Sequence, residues 1–207
     1  DALTGWSGAD TMIGGAGNDL YFVENVGDVV TEILSQGIDT VSSRLTYTLP
    51  ANVENLTLTA TAVINGTGNE LANVIIGNSA ANQLNGGAGN DTLDGGLGSD
   101  RLTGGTGNDV FKFTSMGPVD VIVDYNVAND TIQLENSVFT ALTAVGTLPA
   151  SQFRIGAQAL DANDHILYNK ATGAVIYDAN GNAAGGAAQI ATIGTGLALT
   201  SADIVVI

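Results

Sequence analysis

The sequence predicts an all-β fold, a solenoid of short parallel strands, and two observations carry that prediction. First, from Gly68 onward the chain divides into five consecutive blocks of nine residues: GNELANVII, GNSAANQLN, GGAGNDTLD, GGLGSDRLT and GGTGNDVFK. Second, the last three blocks fit the pattern G-G-x-G-x-D-x-U-x, where U is a large apolar residue, at every fixed position. Repetition at a fixed period is the sequence signature of stacked repeat architectures.

Each block predicts one turn and one short strand. The glycines permit left-handed backbone conformations, so GGxGxD predicts a tight turn whose carbonyl oxygens point inward. The triplet x-U-x predicts a strand with U facing the interior, and two blocks make one coil that stacks on the next at ~4.8 Å. The residues predicted to point inward are Met12, Tyr21, Val30, Val41, Leu84, Leu93, Leu102 and Phe111.

The same pattern opens the chain. GWSGADTMI (5–13), with Trp6 in place of the second glycine, precedes the full match GGAGNDLYF (14–22). The spacing of the aspartates then continues to Val41 without the glycines. Residues 42–67 break the register but alternate apolar and Thr residues as strands do. We predict one continuous solenoid whose irregular rungs point Leu56, Ile64 and Ile75 inward.

Composition excludes several classes of protein and site. The hydrophobic fraction of 44% is sufficient for a core, and a net charge of −16 argues against nucleic acid and anionic membranes as partners. The absence of cysteine excludes disulfides and thiolate metal sites, and a single histidine excludes multi-histidine sites. No apolar run is long enough to span a membrane, so membrane insertion is not expected.

Position six of the blocks predicts a metal site. Residues 18 apart, such as Asp91 and Asp109, lie on the same side of neighbouring coils, whereas Asp19 and Asp39 require a small bulge. Carboxylates and carbonyls that converge from two turns form an oxygen cage suited to Ca²⁺ rather than Mg²⁺. The predicted side-chain ligands are Asp10, Asp19, Asp28, Asp39, Asn82, Asp91, Asp100, Asp109 and Asp120. The predicted turn residues of the sites are Gly14, Ala16, Gly86, Gly87, Ala88, Gly95, Gly96, Leu97, Gly104, Gly105 and Thr106.

Some of these positions have an alternative interpretation. Asn73 and Asn82 carry no charge, so they either offer a side-chain oxygen to a cation or stack as an uncharged ladder. Asp28 and Asp39 lack the glycine turn, and the alternative is that they bind no metal. For Asp120 the alternatives are a turn residue and a Ca²⁺ ligand at the end of the solenoid.

These blocks resemble the nonapeptides of the repeats-in-toxin family, also called hemolysin-type calcium-binding repeats. The resemblance is complete at 14–22 and 86–112 and partial at 5–13, 23–41 and 68–85. It implies a right-handed parallel β-roll with several Ca²⁺ ions between its turns. It also implies a secreted bacterial protein exported by a type I secretion machinery.

The period disappears after Lys112. The segment 119–134 resembles the one that closes such rolls, so we assign 1–135 to a calcium-binding β-roll and 136–207 to a capping and secretion-signal region. Residues 136–142 predict a short helix that packs Phe139 and Leu142 inward. Residues 153–182 predict antiparallel strands with a hairpin turn at 171–173. The last nine residues, LTSADIVVI, resemble a carboxy-terminal export signal and also read as an ordinary last strand.

No enzyme motif is present among HExxH, GxSxG, GxxxxGK and GxGxxG. A Ser–His–Asp set would have to use His165, which reads as a surface or hairpin histidine. The chain begins at Asp1 rather than Met, so we expect a fragment or processed piece with any enzyme activity upstream. The predicted function is a non-enzymatic, extracellular or cell-surface Ca²⁺-binding module. The alternative is a Ca²⁺-dependent module that binds acidic polysaccharide or builds an adhesin or surface layer.

Overall fold

The computed structural model describes all 207 residues and is all-β, as the repeats predict. It contains 21 strands, and its helical segments are two 3-10 turns at Ala150–Gln152 and Ser201–Asp203. No helix has the length and apolar character that crossing a membrane requires.

One wall of the solenoid is a ten-stranded sheet. Its strands, in spatial order, are β1 (Ala2–Thr4), β3 (Leu20–Val23), β5 (Thr40–Ser43), β7 (Asn55–Leu58), β9 (Val74–Ile76), β11 (Thr92–Asp94), β13 (Val110–Phe113), β15 (Thr131–Leu134), β21 (Ile204–Val206) and β16 (Gly146–Thr147). Every neighbouring pair from β1 to β21 is parallel, and only β16 runs antiparallel to its neighbour.

The other wall is a nine-stranded sheet and a separate two-stranded one. The nine strands, in spatial order, are β6 (Tyr47–Thr48), β8 (Gly66–Thr67), β10 (Gln83–Ala88), β12 (Arg101–Thr106), β14 (Asp120–Ile122), β20 (Ala187–Thr192), β19 (Ala174–Asp178), β18 (Ile166–Asn169) and β17 (Phe153–Ile155). The two-stranded sheet pairs β2 (Thr11–Ile13) with β4 (Val29–Thr31) in parallel.

The core is a stack of apolar residues from successive strands, and some strands, such as β13 and β15, contribute two. In the ten-stranded sheet Leu93 aligns with Phe111, and Phe111 aligns with Ile132. All eight residues predicted to point inward from the repeats are buried, so that prediction is confirmed. Because each such residue contacts the residues above and below it, every coil depends on its neighbours for burial.

The irregular segment 42–67 continues the solenoid. Val41 aligns with Leu56, and Leu56 aligns with Ile75, in parallel register. Leu56 and Ile75 are fully buried and Ile64 nearly so, which confirms the predicted irregular rungs. The chain therefore forms one stack rather than two separate rolls.

The short helix predicted over 136–142 is wrong, because this segment forms consecutive turns. Phe139 and Leu142 are buried as predicted, but the backbone closes turns rather than a helix: the N–H groups of Val138 and Phe139 donate to the Glu135 carbonyl, and the N–H of Leu142 donates to the Phe139 carbonyl. So short a segment gains little from helix propagation, and packing of the two apolar side chains decides its path.

The hairpin is confirmed, since β18 and β19 are antiparallel on either side of 170–173. The strand β17 differs from the prediction, because it runs parallel to β18. The carboxy-terminal region joins both walls through parallel pairs, β20 with β14 and β21 with β15. The division of the chain at 135/136 stays a prediction.

Candidate metal centre

The position-six carboxylates form a hydrogen-bonded ladder along the solenoid. The backbone N–H of Asp91 donates to Oδ1 of Asp109 (2.9 Å), and the N–H of Asp109 donates to Oδ1 of Asp130 (3.0 Å). On the other wall, the N–H of Asp100 donates to Oδ1 of Asp120 (2.8 Å). Each carboxylate therefore sits over the turn of the preceding coil, at the predicted spacing of 18 residues for Asp91 and Asp109 and at 20 and 21 residues for the other two pairs.

The second carboxylate oxygen is left without a partner at four of these positions. The Oδ2 atoms of Asp10, Asp19, Asp91 and Asp100 are buried and accept no hydrogen bond. A buried charged oxygen without a partner carries a desolvation cost that a bound cation removes. Hard anionic oxygens are the ligands that Ca²⁺ prefers, so this donor set fits calcium.

The electrostatics of the carboxylates point the same way. Burial raises the pKa of Asp91 and of Asp100 to about 6, although backbone N–H donors oppose the shift. Burial also raises the pKa of Asp120 to about 7, with the nearby Asp100 and Asp94 charges adding to the effect. The pKa values of Asp39 and Asp109 are raised for the same reason. The ionised form is thus held at a cost, and a cation would stabilise it.

The glycine turns adopt the conformation that the motif predicts. In the block 104–112, Gly105 and Gly107 have φ of 101° and 147°, in the region that L side chains disfavour. At the first block of the chain, Trp6 takes the second-glycine position with φ 62° and an indole that is 78% exposed. A bulky residue is therefore held in a glycine conformation there.

The asparagine positions use their side chains within the protein. Asn82 Oδ1 accepts from the N–H of Asn78 (2.8 Å), and its amide donates to the Ile64 carbonyl (2.5 Å). Asn73 likewise accepts from Asn69 and donates to the carbonyl of Glu54. This geometry favours the uncharged ladder over a cation ligand at both positions.

The amino-terminal coils bring both predicted pairs of aspartates together, but with hydrogen bonds of different length. The N–H of Asp19 donates to Oδ1 of Asp39 (2.8 Å), and the N–H of Asp10 donates to Oδ1 of Asp28 (3.3 Å). Asp28 Oδ2 accepts from the N–H groups of Glu24 and Asn25, so both of its oxygens are engaged, Oδ1 by the preceding coil and Oδ2 by the local turn. This geometry favours the alternative that Asp28 binds no metal.

The predicted turn residues are stacked in register, with Gly87 beside Gly105 and Ala88 beside Thr106. The Thr106 carbonyl accepts the N–H of Gly89 (2.9 Å) and is engaged in the stack. The positions of the other turn residues follow from the same repeat, namely Gly14, Ala16, Gly86, Gly95, Gly96, Leu97 and Gly104. Their roles as ligands remain predictions.

Several acidic residues that the nonapeptide motif did not mark also belong to the ladder. Glu54 Oε2 accepts the N–H of Asp39 (2.8 Å), and Asp130 occupies position six before β15. Asp124 accepts the N–H groups of Gly104 (3.0 Å) and Gly105 (2.9 Å). The available signal was an acidic residue directly before an x-U-x strand, which marks Glu54 and Asp130.

One further acidic residue, Glu32, joins Asp19 and Asp39. One carboxylate oxygen from each of the three lies within 4.8 Å of the others, and all three residues are buried. No motif marks Glu32, because the nonapeptide has glycine at that position.

His165 lies away from these carboxylates, in the cap. Its Nδ1 is 2.8 Å from the carbonyl oxygen of Asp178, at the end of the hairpin. This placement agrees with the prediction of a hairpin histidine.

Comparison with known proteins identifies the repeats. The family model of the RTX calcium-binding nonapeptide repeat matches in four copies, over residues 1–21, 67–102 and 76–111. Repeats of this kind bind Ca²⁺, which agrees with the ligand chemistry described above.

Two curated proteins from Rhizobium meliloti (strain 1021) are similar to part of the chain. Endo-1,3-1,4-beta-glycanase ExsH is 42% identical over 78 residues, which are 37% of this chain and 17% of that protein. Endo-1,3-1,4-beta-glycanase EglC is 40% identical over 67 residues, which are 32% of this chain and 14% of that protein. The chain thus spans a small part of the length of these relatives.

A solved structure also resembles the chain. The AlgE6R3 subunit of the Azotobacter vinelandii mannuronan C5-epimerase is 24% identical, with a TM-score of 0.45. The similarity covers 78% of this chain and 82% of that one.

Proposed function

We propose that this chain, which carries RTX calcium-binding nonapeptide repeats, is a module that folds on binding Ca²⁺ after type I secretion and thereby stabilises and helps to export an upstream protein. On this proposal the chain performs no catalysis itself. Its partners are Ca²⁺ and the secretion machinery, the latter through the carboxy terminus. Its location is extracellular or at the cell surface.

The observation that carries the proposal is the set of buried carboxylate oxygens without partners, at Asp19, Asp91 and Asp100 among others. Ionised carboxylates stacked at ~5 Å repel by ~3 kcal/mol per pair at an effective dielectric of ~20. A few such pairs rival the ~5–15 kcal/mol by which a whole domain is stable. The stack is therefore stable at neutral pH only when cations neutralise it.

This dependence suits a protein that is folded after export. Extracellular calcium modules bind at ~10⁻⁴–10⁻³ M, so cytosolic Ca²⁺ leaves them empty and external Ca²⁺ fills them. The glycine turns add to the effect, because glycine loses more backbone freedom on ordering than any other residue. A chain that is unfolded inside and folded outside remains competent for export.

Far-UV circular dichroism of the full chain tests the proposal, first in chelator and then in millimolar CaCl₂. We expect a largely disordered spectrum in chelator and a β-rich spectrum with Ca²⁺, while MgCl₂ at the same concentration gives little change. A β-rich spectrum that is identical in chelator and in CaCl₂ would refute calcium-driven folding.

A second candidate function is Ca²⁺-dependent binding of a polysaccharide. The observation that favours it is the pair of similar proteins whose names describe enzymes acting on β-glycans. Titration of the chain with β-1,3-1,4-glucan and with an acidic polysaccharide, each with and without Ca²⁺, separates the two candidates. Binding that requires Ca²⁺ supports this function, and absence of binding to the folded chain excludes it for these glycans.

A further inference from the structure

Three buried carboxylates converge near the amino-terminal end of the solenoid. Asp19 is 3% exposed, Glu32 8% and Asp39 1%, and one oxygen from each lies within 4.8 Å of the others. The ordinary repeat turns bring together two position-six side chains, so a third carboxylate distinguishes this place from the rest of the ladder.

The third carboxylate arises from a change at the first position of the block. In the parallel pair of β2 and β4, Ile13 aligns with Thr31, which places Glu32 one coil beyond Gly14. At Gly14, a Cβ would meet the carboxylate of Asp19 and the hydroxyl of Tyr21, so glycine is needed there. The turn from Glu32 to Asp39 is two residues longer than the turn from Gly14 to Asp19, and this longer turn accommodates a side chain.

The hydrogen bonds of the three carboxylates leave one fully buried oxygen without a partner. Asp19 Oδ1 accepts from the amino-terminal ammonium of Asp1 (2.5 Å), and Asp39 Oδ1 accepts from the N–H of Asp19 (2.8 Å). Glu32 accepts from the hydroxyl of Tyr21 and from its neighbour's backbone. Asp19 Oδ2, which lies beside that hydroxyl, is buried and accepts nothing.

We propose that Asp19, Glu32 and Asp39 form a site for one hard cation, Ca²⁺, that the nonapeptide motif does not define. Asp19 and Asp39 come from the repeat ladder, and Glu32 replaces a motif glycine. The inference rests on the proposed binding of Ca²⁺ and deepens it, and it does not require that calcium drive the folding of the module.

This site binds more tightly than the two-carboxylate turns. Affinity for Ca²⁺ rises with the number of charged ligands and with the rigidity of the site. Here three carboxylates converge, one of them paired with the amino-terminal ammonium of Asp1, and the ladder and the Tyr21 hydroxyl hold the side chains in place. We expect it to fill at a Ca²⁺ concentration about tenfold lower than the repeat turns, given how ligand charge tunes such sites.

Terbium is a suitable probe, because Tb³⁺ is a hard cation that takes oxygen ligands and emits when a nearby tyrosine is excited. Tyr21 contacts Glu32 directly and so reports on an ion at this site. The full chain is titrated with Tb³⁺, following both tyrosine-sensitised emission and the number of ions bound. The variants are Glu32→Gln and Tyr21→Phe, with Glu70→Gln on an exposed turn and Tyr168→Phe in the cap as matched controls.

Glu32→Gln is expected to remove the tightest binding phase and one ion, and Tyr21→Phe to remove the emission of that phase while keeping its ion. An unchanged first phase and ion count in Glu32→Gln would overturn the proposal while leaving calcium binding by the repeats intact. A wild-type chain that binds no ion would overturn both. Anomalous scattering from wild-type crystals in Tb³⁺ provides a test that needs no variant: a peak among the three carboxylates supports the site, and peaks confined to the glycine turns contradict it.

Discussion

The backbone N–H of Asp91 donates to Oδ1 of Asp109, 2.9 Å away in the next coil, while Asp91's own Oδ2 is buried without a partner. The Asp91 carboxylate also has two roles of its own. Its Oδ1 accepts the N–H of Asn73 (2.7 Å) in the preceding coil, and its Oδ2 is available to a cation. Metal binding and coil stacking are therefore coupled through the same side chain.

This coupling predicts opposite effects of Asp109→Asn with and without calcium. The amide keeps an oxygen that can accept the N–H of Asp91 but loses the charge. Because burial raises the pKa of Asp109, the charge is a cost in the metal-free fold, and the variant should be the more stable in chelator. In Ca²⁺ it should bind about one ion fewer and melt at a lower temperature than wild type.

Calorimetric titration with Ca²⁺ and thermal melts in both conditions measure these effects, with the exposed Asp161→Asn as the control. The melts in chelator are run at mildly acid pH, where the metal-free chain is expected to keep its fold. Equal Ca²⁺ stoichiometry in Asp109→Asn and wild type would show that Asp109 is not a ligand. Lower stability of this variant in chelator would show that the charge is not a cost to the metal-free fold.

A second prediction concerns the close stacking of the turns. Gly105 has φ 101°, and a Cβ there would collide with the carbonyl oxygen of Gly87 in the preceding coil. Gly185 has φ 82° but open space around it, so Gly185→Ala carries only the conformational cost of ~1–2 kcal/mol. Gly105→Ala should lower the free energy of unfolding in Ca²⁺ by clearly more, as measured by urea denaturation. Equal losses in the two variants would mean that the turns separate without cost.

The solenoid was predictable because each block of the repeat specifies the same turn and the same short strand. Glycine conformation, inward apolar residue and carboxylate position all agree at 86–112, and agreement across levels marks a well-specified fold. At 42–67 the apolar alternation alone was enough to predict that Leu56 and Ile64 point inward.

The third carboxylate, the turns at 136–142 and the direction of β17 could not be predicted from the local sequence pattern. Glu32 reaches Asp19 and Asp39 only because β2 and β4 pair in register, and that pairing is a tertiary contact between coils. The turns at 136–142 depend on packing of Phe139 against Tyr177, whose ring centroids are 5.2 Å apart. The strand β17 lies at the edge of its sheet and pairs in parallel with β18, and this pairing is a tertiary contact of the cap.

A third prediction uses two neighbouring residues of β9. Ile75 is fully buried in the core stack, and Ile76 is 40% exposed on the outer face. Ile75→Ala should lower the free energy of unfolding in Ca²⁺ by ~2–5 kcal/mol, because it opens a cavity between coils. Ile76→Ala on the same strand should cost much less, and similar losses for the two would contradict the assigned register.

The last prediction is a pH dependence of the metal-free fold. Burial raises the pKa of Asp91 and Asp100 to about 6 and that of Asp120 to about 7, from an ordinary value of 3.8. Between these values the unfolded chain has already released protons that the folded chain still binds. The free energy of unfolding therefore falls as pH rises through this window. The stabilisation by these protonated groups is complete below about pH 4 and is lost by about pH 7.

Urea denaturation in chelator, at constant ionic strength from pH 4 to about 7.5, measures this dependence, because the range spans the raised pKa values of the three aspartates. We expect the metal-free chain to be most stable at the acid end, and Ca²⁺ to restore stability at the neutral end by binding the ionised carboxylates. The high net negative charge of the chain favours the acid end too, so the triple variant Asp91→Asn, Asp100→Asn, Asp120→Asn is the control. This control should keep only the weaker dependence due to net charge, because its three side chains no longer titrate. A wild-type chain whose metal-free stability is flat or rises with pH would show that the buried carboxylates do not control folding.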